Sequence, residues 1–229
     1  MPYSVSGEMV TFPNDSTNVS GYLAKPQADG RFPAVIVIQE WWGLVPHIKD
    51  VAERFAAEGF LALAPDLYHG QTAAEPDGAM QLARSLAWDS ALHDLKASAK
   101  YVKGLPNSTG RAGVVGFCMG GGLSYRFAAH SEAPDAAVIF YGSSPSQLEE
   151  AKSVACPVLG LYGETDTRIT SNAPALADAM KAAGKSFDHH VYPAAAHGFF
   201  NDESQAYNAP AAQDAWRRTL EFFRENLTP

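Results

Sequence analysis

Short apolar runs alternate with stretches of helical periodicity along most of the chain, and this alternation constrains the fold more than any other feature. The runs FPAVIVIQE, FLALAPD, AGVVGF, DAAVIFYG and CPVLGLYG are mostly apolar, which is typical of strands covered on both faces, and all but FLALAPD carry β-branched residues. Most segments between them carry apolar residues at three- and four-residue spacing, as amphipathic helices do. Strands that alternate with helices favour a mostly parallel, doubly wound α/β sheet with helices on both faces.

Patterns elsewhere in the chain predict further elements. MVTF and VSGYLAKP, with the turn residues NDSTN between them, indicate an N-terminal antiparallel hairpin. Helical spacing from Ile48 predicts a helix that ends at Gly59, and a long helix is predicted over 78–103. Helices are also predicted over 172–184 and 207–227, while SFDHHVYP is expected to be extended. The polar segment between DAAVIFYG and CPVLGLYG is expected to hold one helical turn.

Length and composition indicate one domain over 1–229, without nucleic-acid or membrane partners. Acidic residues outnumber basic ones by 25 to 17, and the formal charge of −8 argues against nucleic acid. No apolar stretch reaches the roughly 18 residues of a membrane helix, and the N-terminus lacks a basic and apolar leader. We therefore expect a cytoplasmic protein that is a monomer or a small homo-oligomer and acts on a small molecule.

The clearest chemical signal is a cysteine in a glycine-rich turn. VGFCMGGG places Cys118 between Gly116 and Gly120, after a predicted strand and before a predicted helix. This is the context of a nucleophile elbow, with cysteine where serine is more common. Side chains at 116 and 120 would be expected to collide with neighbouring backbone. The turn would also aim N–H groups at the start of the helix toward an oxyanion.

Two other interpretations of this turn are a buried cysteine that acts as a small hydrophobe and a dinucleotide-binding loop. Most free cysteines are of the first kind, and we assign Cys156, which precedes Pro157 at the start of a predicted strand, to it. The second interpretation is disfavoured, because the glycines do not form G-x-G-x-x-G and no Walker lysine follows. A catalytic role for Cys118 therefore depends on partners elsewhere in the chain.

Two such partners follow predicted strands. A thiol with the ordinary pKa of about 8.5 is only a few per cent thiolate at neutral pH, so a cysteine hydrolase needs an imidazole with a carboxylate behind it. The order in α/β-hydrolases is nucleophile, acid, histidine, and Asp166 in LYGETDTRIT and His197 in VYPAAAHGFF obey it. Taken singly, they could be a turn carboxylate and an ordinary loop histidine. Together the three placements predict a Cys118–His197–Asp166 triad.

Over almost its whole length the chain resembles the dienelactone hydrolase family of α/β-hydrolases, the carboxymethylenebutenolidase type. The likeness is carried in collinear order by VIVIQEWWG, APDLY, VGFCMGGG, LYGETD and HGFFND...AWRRTLEFF. It implies that Cys118 is the nucleophile, His197 the base and Asp166 its orienting acid. It also implies that Glu40 lies beside the resting thiol and helps convert it to thiolate when substrate arrives. The alternative for Glu40 is a structural carboxylate bonded to nearby backbone.

Further site residues are expected around the elbow. The oxyanion hole would be formed by the backbone N–H groups of Met119 and Trp41. Trp42, His69 and Phe199 are candidate substrate-binding residues, although the aromatic ones are equally compatible with core packing. We expect no cofactor and no metal, because the histidines lack the spacing of a zinc site.

The chain departs from the family pattern where the substrate would be held. Dienelactone-cleaving members bind the carboxylate of their substrate with one arginine shortly after DLY and another four residues after the histidine, and Gly70 and Asn201 stand at these positions. Dienelactone itself is therefore not expected as the substrate. We expect hydrolysis of a small carboxylic ester or lactone through an acyl-enzyme. The alternatives are a non-catalytic binding or sensor protein of the same fold and, less favoured without C-x-x-C, a redox thiol protein.

Overall fold

The computed structural model describes residues 1–15 and 17–228 and divides the chain into two compact units. The first unit contains Met1–Val114 with the last residues of the chain, and the second is Val115–Asn226. The strands, in the order β1-β2-β4-β3-β5-β6-β7-β8 in the sheet, are β1 (Val5–Asn14), β2 (Thr17–Pro26), β3 (Phe32–Ile38), β4 (Leu61–Pro65), β5 (Ser108–Phe117), β6 (Ala136–Phe140), β7 (Val158–Gly163) and β8 (Phe187–Tyr192).

The helices alternate with these strands after the first hairpin. They are α1 (Pro46–Ala57), α2 (Pro76–Ser85), α3 (Trp88–Lys103), α4 (Met119–Ala128), α5 (Thr167–Thr170), α6 (Ala173–Ala182) and α7 (Ala209–Leu227), with a 3₁₀ helix at Leu148–Ser153. The predicted α/β class is confirmed. Within the described residues, every helix is too short or too polar to cross a membrane.

In the first unit, an antiparallel hairpin leads into parallel strands. β1 and β2 pair from Val5 opposite Pro26 to Asn14 opposite Thr17, which confirms the predicted hairpin. Of the predicted turn residues, Ser16 lies outside the described residues. β2 runs antiparallel to β4, and β3 runs parallel to β4. All five residues of β4 are buried, and α1 and α3 both pack against it, so the strand is covered as its apolar run predicts.

The helices of the first unit differ from the prediction at one point. α1 ends at Ala57, and Gly59 has φ 90, the left-handed conformation that suits glycine after a helix. The single helix predicted over 78–103 is wrong, because Leu86 and Ala87 are extended and separate α2 from α3. α3 buries a mostly apolar face, whereas α2 buries only Ala79. The break therefore separates a largely exposed helix from a buried one, and no proline or glycine marks it in the sequence.

In the second unit, β6, β7 and β8 are parallel neighbours. Ala137 lies opposite Val158, and Val158 lies opposite Phe187. The predicted helical turn is the 3₁₀ helix, and the helices predicted over 172–184 and 207–227 are α6 and α7. The short helix α5 is additional. Because parallel strands end at a common edge, the loops after β6, β7 and β8 gather there.

Tyr162 on β7 gives a prediction about stability. Its side chain is 1% exposed, and its hydroxyl has no hydrogen-bond partner within the described part of the chain. Burial, with a smaller effect of Tyr125, raises its pKa well above the ordinary value. We expect Tyr162→Phe to raise the free energy of unfolding by about 1 kcal/mol, because an unpaired buried hydroxyl is removed.

Tyr192 on β8 is the matched control. Its hydroxyl donates a hydrogen bond to Asp214 Oδ2 at 3.1 Å. Tyr192→Phe should therefore lower the free energy of unfolding by about 1 kcal/mol. Urea denaturation at neutral pH measures both variants. A loss of stability in Tyr162→Phe as large as that in Tyr192→Phe would contradict the prediction.

Candidate active site

Cys118 occupies a sharp turn between β5 and α4. It directly precedes α4 and has φ 56 and ψ −113, a left-handed φ that is uncommon outside glycine. Its N–H donates to the carbonyl of Phe140 at 3.0 Å, and its own carbonyl accepts the N–H groups of Gly121 at 3.0 Å and Gly122 at 3.3 Å. These bonds hold the strained residue in place. Cys118 is partly exposed and Cys156 is buried, and both are thiols.

Close contacts explain two glycines of this turn, Gly116 and Gly121, whereas the collision expected at Gly120 stays a prediction. A Cβ on Gly116 would overlap the carbonyl group of Gly120 and lie 2.6 Å from Ser124 Oγ. A Cβ on Gly121 would lie 2.8 Å from the Cα of Gly142, at the end of β6. The turn is therefore packed too tightly for side chains at 116 and 121.

The start of α4 is suited to stabilise negative charge. Met119 is its first residue, and the first turn of α4 holds no acidic side chain. The N–H groups in the first turn of a helix point toward its N-terminus, which is the positive end of the helix dipole. An oxyanion formed near Cys118 would lie at this positive end.

Asp166 and His197 lie in the loops after β7 and β8 and contact each other directly. His197 Nδ1 is 2.6 Å from Asp166 Oδ2. The carboxylate is buried, with 8% of its side chain exposed, whereas the imidazole is 38% exposed. Because the carboxylate can only accept, Nδ1 donates, and Nε2 is the basic nitrogen of the neutral ring.

Further hydrogen bonds join these two loops. The N–H and the hydroxyl of Thr165 both donate to the carbonyl of Ala195, at 3.0 and 2.9 Å. The N–H of Ala194 donates to Glu164 Oε2 at 2.9 Å. The two loops are therefore tied together next to the carboxylate, and the acid and the histidine are held within hydrogen-bond distance.

The end of β6 contacts both the cysteine turn and the histidine. The carbonyl of Phe140 accepts the N–H of Cys118, as described above. The ring of Tyr141 packs edge-on against the imidazole of His197, with a centroid distance of 5.1 Å and an interplanar angle of 61°. Tyr141 is fully buried and also left-handed, with φ 39. Sequence reasoning missed this residue, whose only local signal is the dipeptide YG after a strand.

Four of the predicted site residues belong to the first unit. Glu40 lies two residues after β3 and is 5% exposed. Trp41 and Trp42 are partly exposed and pack edge to face, with ring centroids 5.1 Å apart. His69, in the loop after β4, is left-handed, and its Nε2 is 3.5 Å from Asp94 Oδ2. Their roles toward the cysteine stay predictions.

The remaining residues singled out in the sequence are placed as follows. Phe199 is fully buried, with ring centroids 5.3 Å from Tyr141 and 5.2 Å from Tyr192, which favours core packing over substrate contact. Gly70 is left-handed with φ 93. Asn201 is buried, and its Oδ1 accepts the N–H of Glu203 at 3.0 Å. Neither Gly70 nor Asn201 offers the bidentate cation of an arginine.

Comparison with known proteins gives one consistent family. The model of the dienelactone hydrolase family matches residues 19–227. Protein usf of Aquifex pyrophilus is 37% identical over 232 residues, which cover 97% of this chain and 100% of that protein. A provisionally named carboxymethylenebutenolidase of Methylorubrum extorquens is 36% identical over 237 residues, covering 96% of this chain and 81% of that protein. The crystal structure of a provisionally named dienelactone hydrolase from Klebsiella pneumoniae has a TM-score of 0.89 at 31% identity, covering 97% and 99% of the two chains.

Proposed function

The chain belongs to the dienelactone hydrolase family, and on this premise we propose that it hydrolyses a small carboxylic ester or lactone through a Cys118–His197–Asp166 triad. The family and the α/β-hydrolase fold make the protein a hydrolase of the dienelactone hydrolase type. The observation that carries the finer proposal is the 2.6 Å contact between His197 Nδ1 and Asp166 Oδ2. It leaves Nε2 as the nitrogen that can exchange a proton with a thiol.

In the first half-reaction, Nε2 of His197 takes the proton of the Cys118 thiol. The thiolate sulfur attacks the carbonyl carbon, a C–S bond forms, and the carbonyl electron pair moves to oxygen. The N–H group of Met119, at the start of α4, stabilises this oxyanion. Asp166 stabilises the imidazolium through its bond to Nδ1.

The first half-reaction ends when the oxyanion collapses and the C–O bond of the ester breaks, which leaves the acyl group on sulfur. The leaving alkoxide takes the proton from Nε2 and departs as an alcohol, or stays tethered to the acyl group if the substrate is a lactone. In the second half-reaction, His197 deprotonates a water molecule, which attacks the thioester carbonyl. The thiolate leaves, regains a proton from the imidazolium, and the carboxylic acid is released.

The role of Glu40 is carried over from the family resemblance. The resemblance implies that it helps to convert the resting thiol to thiolate when substrate arrives, while His197 takes the proton, and this supporting role stays a prediction. Its place in the fold is consistent with such a role, because it lies two residues after β3, where reactive groups gather in an α/β sheet, and is 5% exposed. Gly70 and Asn201 stand where dienelactone-cleaving members have the two arginines that bind the substrate carboxylate. The proposed substrate is therefore an ester or lactone without a free carboxylate that needs such arginines.

The acyl-enzyme is the test of this proposal. The protein is mixed with p-nitrophenyl acetate, quenched in acid on the millisecond scale, and examined by intact-mass and peptide mass spectrometry. We expect one acetyl group per chain, on the peptide that contains Cys118, together with a burst of p-nitrophenol. Cys118→Ala should show neither, whereas Cys156→Ala should show both, because Cys156 is a buried thiol in the segment before β7.

Other outcomes assign the protein differently. Turnover that survives Cys118→Ala at the wild-type rate would rule out the covalent route. Thermal stabilisation by esters and lactones without any turnover would favour a binding protein of the same fold.

A further inference from the structure

We propose that Tyr141 is a positioning residue, whose ring fixes the tilt of the His197 imidazole relative to the Cys118 turn. The inference rests on the proposed function, since it concerns how His197 acts on Cys118. Tyr141 is not a catalytic residue in this proposal, because its part is to hold the imidazole rather than to contact the reacting atoms. Two sets of contacts support it, one on the main chain of Tyr141 and one on its ring.

The main chain of Tyr141 is held in a conformation that an aromatic residue avoids. A left-handed φ of 39 is disfavoured for a bulky side chain and persists only where the surroundings impose it. The N–H of Tyr141 donates to the carbonyl of Leu161 on β7 at 2.8 Å. On its other side, a Cβ on Gly142 would lie 2.6 Å from both the Cα of Gly121 and the N of Gly122. Tyr141 therefore has little room to relax.

The same segment is attached to the cysteine turn. The carbonyl of Phe140 accepts the N–H of Cys118 at 3.0 Å, and Gly142 packs on the backbone of Gly121 in the first turn of α4. Tyr141 lies between these two attachments. The position of its ring is therefore fixed relative to the backbone that carries the thiol.

The ring of Tyr141 supplies a constraint that the acid does not. A single hydrogen bond from Nδ1 to Asp166 fixes one end of the imidazole but allows it to rotate about the axis of that bond. The Tyr141 ring, 5.1 Å away and inclined by 61°, meets the imidazole from the side and opposes that rotation. Tyr141 is itself packed against Phe199, with ring centroids 5.3 Å apart, and is fully buried. The tilt of the imidazole decides whether Nε2 reaches the thiol proton.

The test compares Tyr141→Leu, Tyr141→Phe and the control Phe127→Leu. Phe127 on α4 is fully buried, so its replacement also removes a core ring. Each variant is measured for kcat and KM on p-nitrophenyl acetate, for its melting temperature, and for the pH dependence of Cys118 alkylation by iodoacetamide. The alkylation profile reports the thiolate directly and does not depend on turnover.

We expect Tyr141→Leu to lower kcat by about 10- to 100-fold with KM changed by less than about twofold, because misplacement of a base affects the chemical step. The midpoint of its alkylation profile should move upward, toward that of an ordinary thiol. Tyr141→Phe keeps the ring and should restore both the rate and the profile. Phe127→Leu should lower the melting temperature while kcat and the profile stay unchanged.

Several results would overturn the inference. Tyr141→Leu with a lowered melting temperature but an unchanged kcat and alkylation profile would make Tyr141 a packing residue only. If Tyr141→Phe lost as much kcat as Tyr141→Leu, the aromatic ring would not be what positions His197. If Tyr141→Leu does not fold, Tyr141→Met replaces it, because methionine fills the space with a flexible chain. The same changes in kcat and in the alkylation profile are expected for Tyr141→Met. Full activity in Cys118→Ala would instead contradict the proposed function. Failure of the positioning role and failure of the proposed function therefore give different results.

Discussion

Asp166→Asn is expected to lower kcat for ester hydrolysis by about 10³- to 10⁴-fold with little change in KM. Oδ2 of Asp166 accepts the Nδ1 proton of His197 at 2.6 Å. An asparagine can turn its NH₂ group toward Nδ1, which places the imidazole proton on Nε2 and removes the nitrogen that must accept the thiol proton. The imidazolium also loses its counter-charge. Steady-state hydrolysis of p-nitrophenyl acetate across a pH series measures the loss.

The structure offers a matched control for this change. Asp178 is an exposed residue of α6, and Asp178→Asn removes the same charge from the same unit. Its kcat should stay within about twofold of wild type. The backbone carbonyl of Asp166 accepts the N–H groups of Ile169 and Thr170, which asparagine retains, so the fold of the loop should survive. Asp166→Asn with more than a tenth of the wild-type kcat would contradict the orienting role of the carboxylate.

Gly116→Ala is expected to lower the free energy of unfolding by about 2–4 kcal/mol and to remove most of the activity. The new Cβ would overlap the carbonyl group of Gly120 and lie 2.6 Å from Ser124 Oγ. The main-chain carbonyl cannot move aside without changing the first turn of α4, and that turn also sets the φ of Cys118. Stability and activity should therefore fall together. Urea denaturation and ester hydrolysis measure the two effects.

Gly78→Ala is the control for a glycine without this constraint. Gly78 lies in α2, and its Cβ would be 3.5 Å from that of Ala73, an ordinary contact. Gly78 lies in the first turn of α2, where alanine fits the helical backbone, so Gly78→Ala should raise the free energy of unfolding by about 0.5 kcal/mol and leave kcat unchanged. If Gly116→Ala and Gly78→Ala changed the free energy of unfolding in the same direction, the lack of space at Gly116 would not explain the effect of its substitution.

Much of the fold was predictable because its signals are local. A buried strand must present apolar residues on both faces, so β4 is recognisable from FLALAPD alone. The hairpin of β1 and β2 is marked by a polar turn between two extended runs. The break between α2 and α3 has no such mark. Leu86 and Ala87 are compatible with a helix, and only the structure shows that they are extended and separate an exposed helix from a buried one.

The candidate site likewise has a part that the sequence predicts and a part that only the structure shows. The amino-acid sequence by itself determined that a thiol sits in a glycine turn at 118 and that Asp166 and His197 follow later strands, since chain order and strand ends can be read locally. Only the tertiary structure decided that Nδ1 and the carboxylate, 31 residues apart, lie at hydrogen-bond distance. It alone also revealed the left-handed φ of 39 at Tyr141, whose N–H bonds to β7 and whose neighbour Gly142 packs against α4. A strained backbone held by distant segments has no local sequence pattern, because the residues that hold it are not its neighbours in the chain.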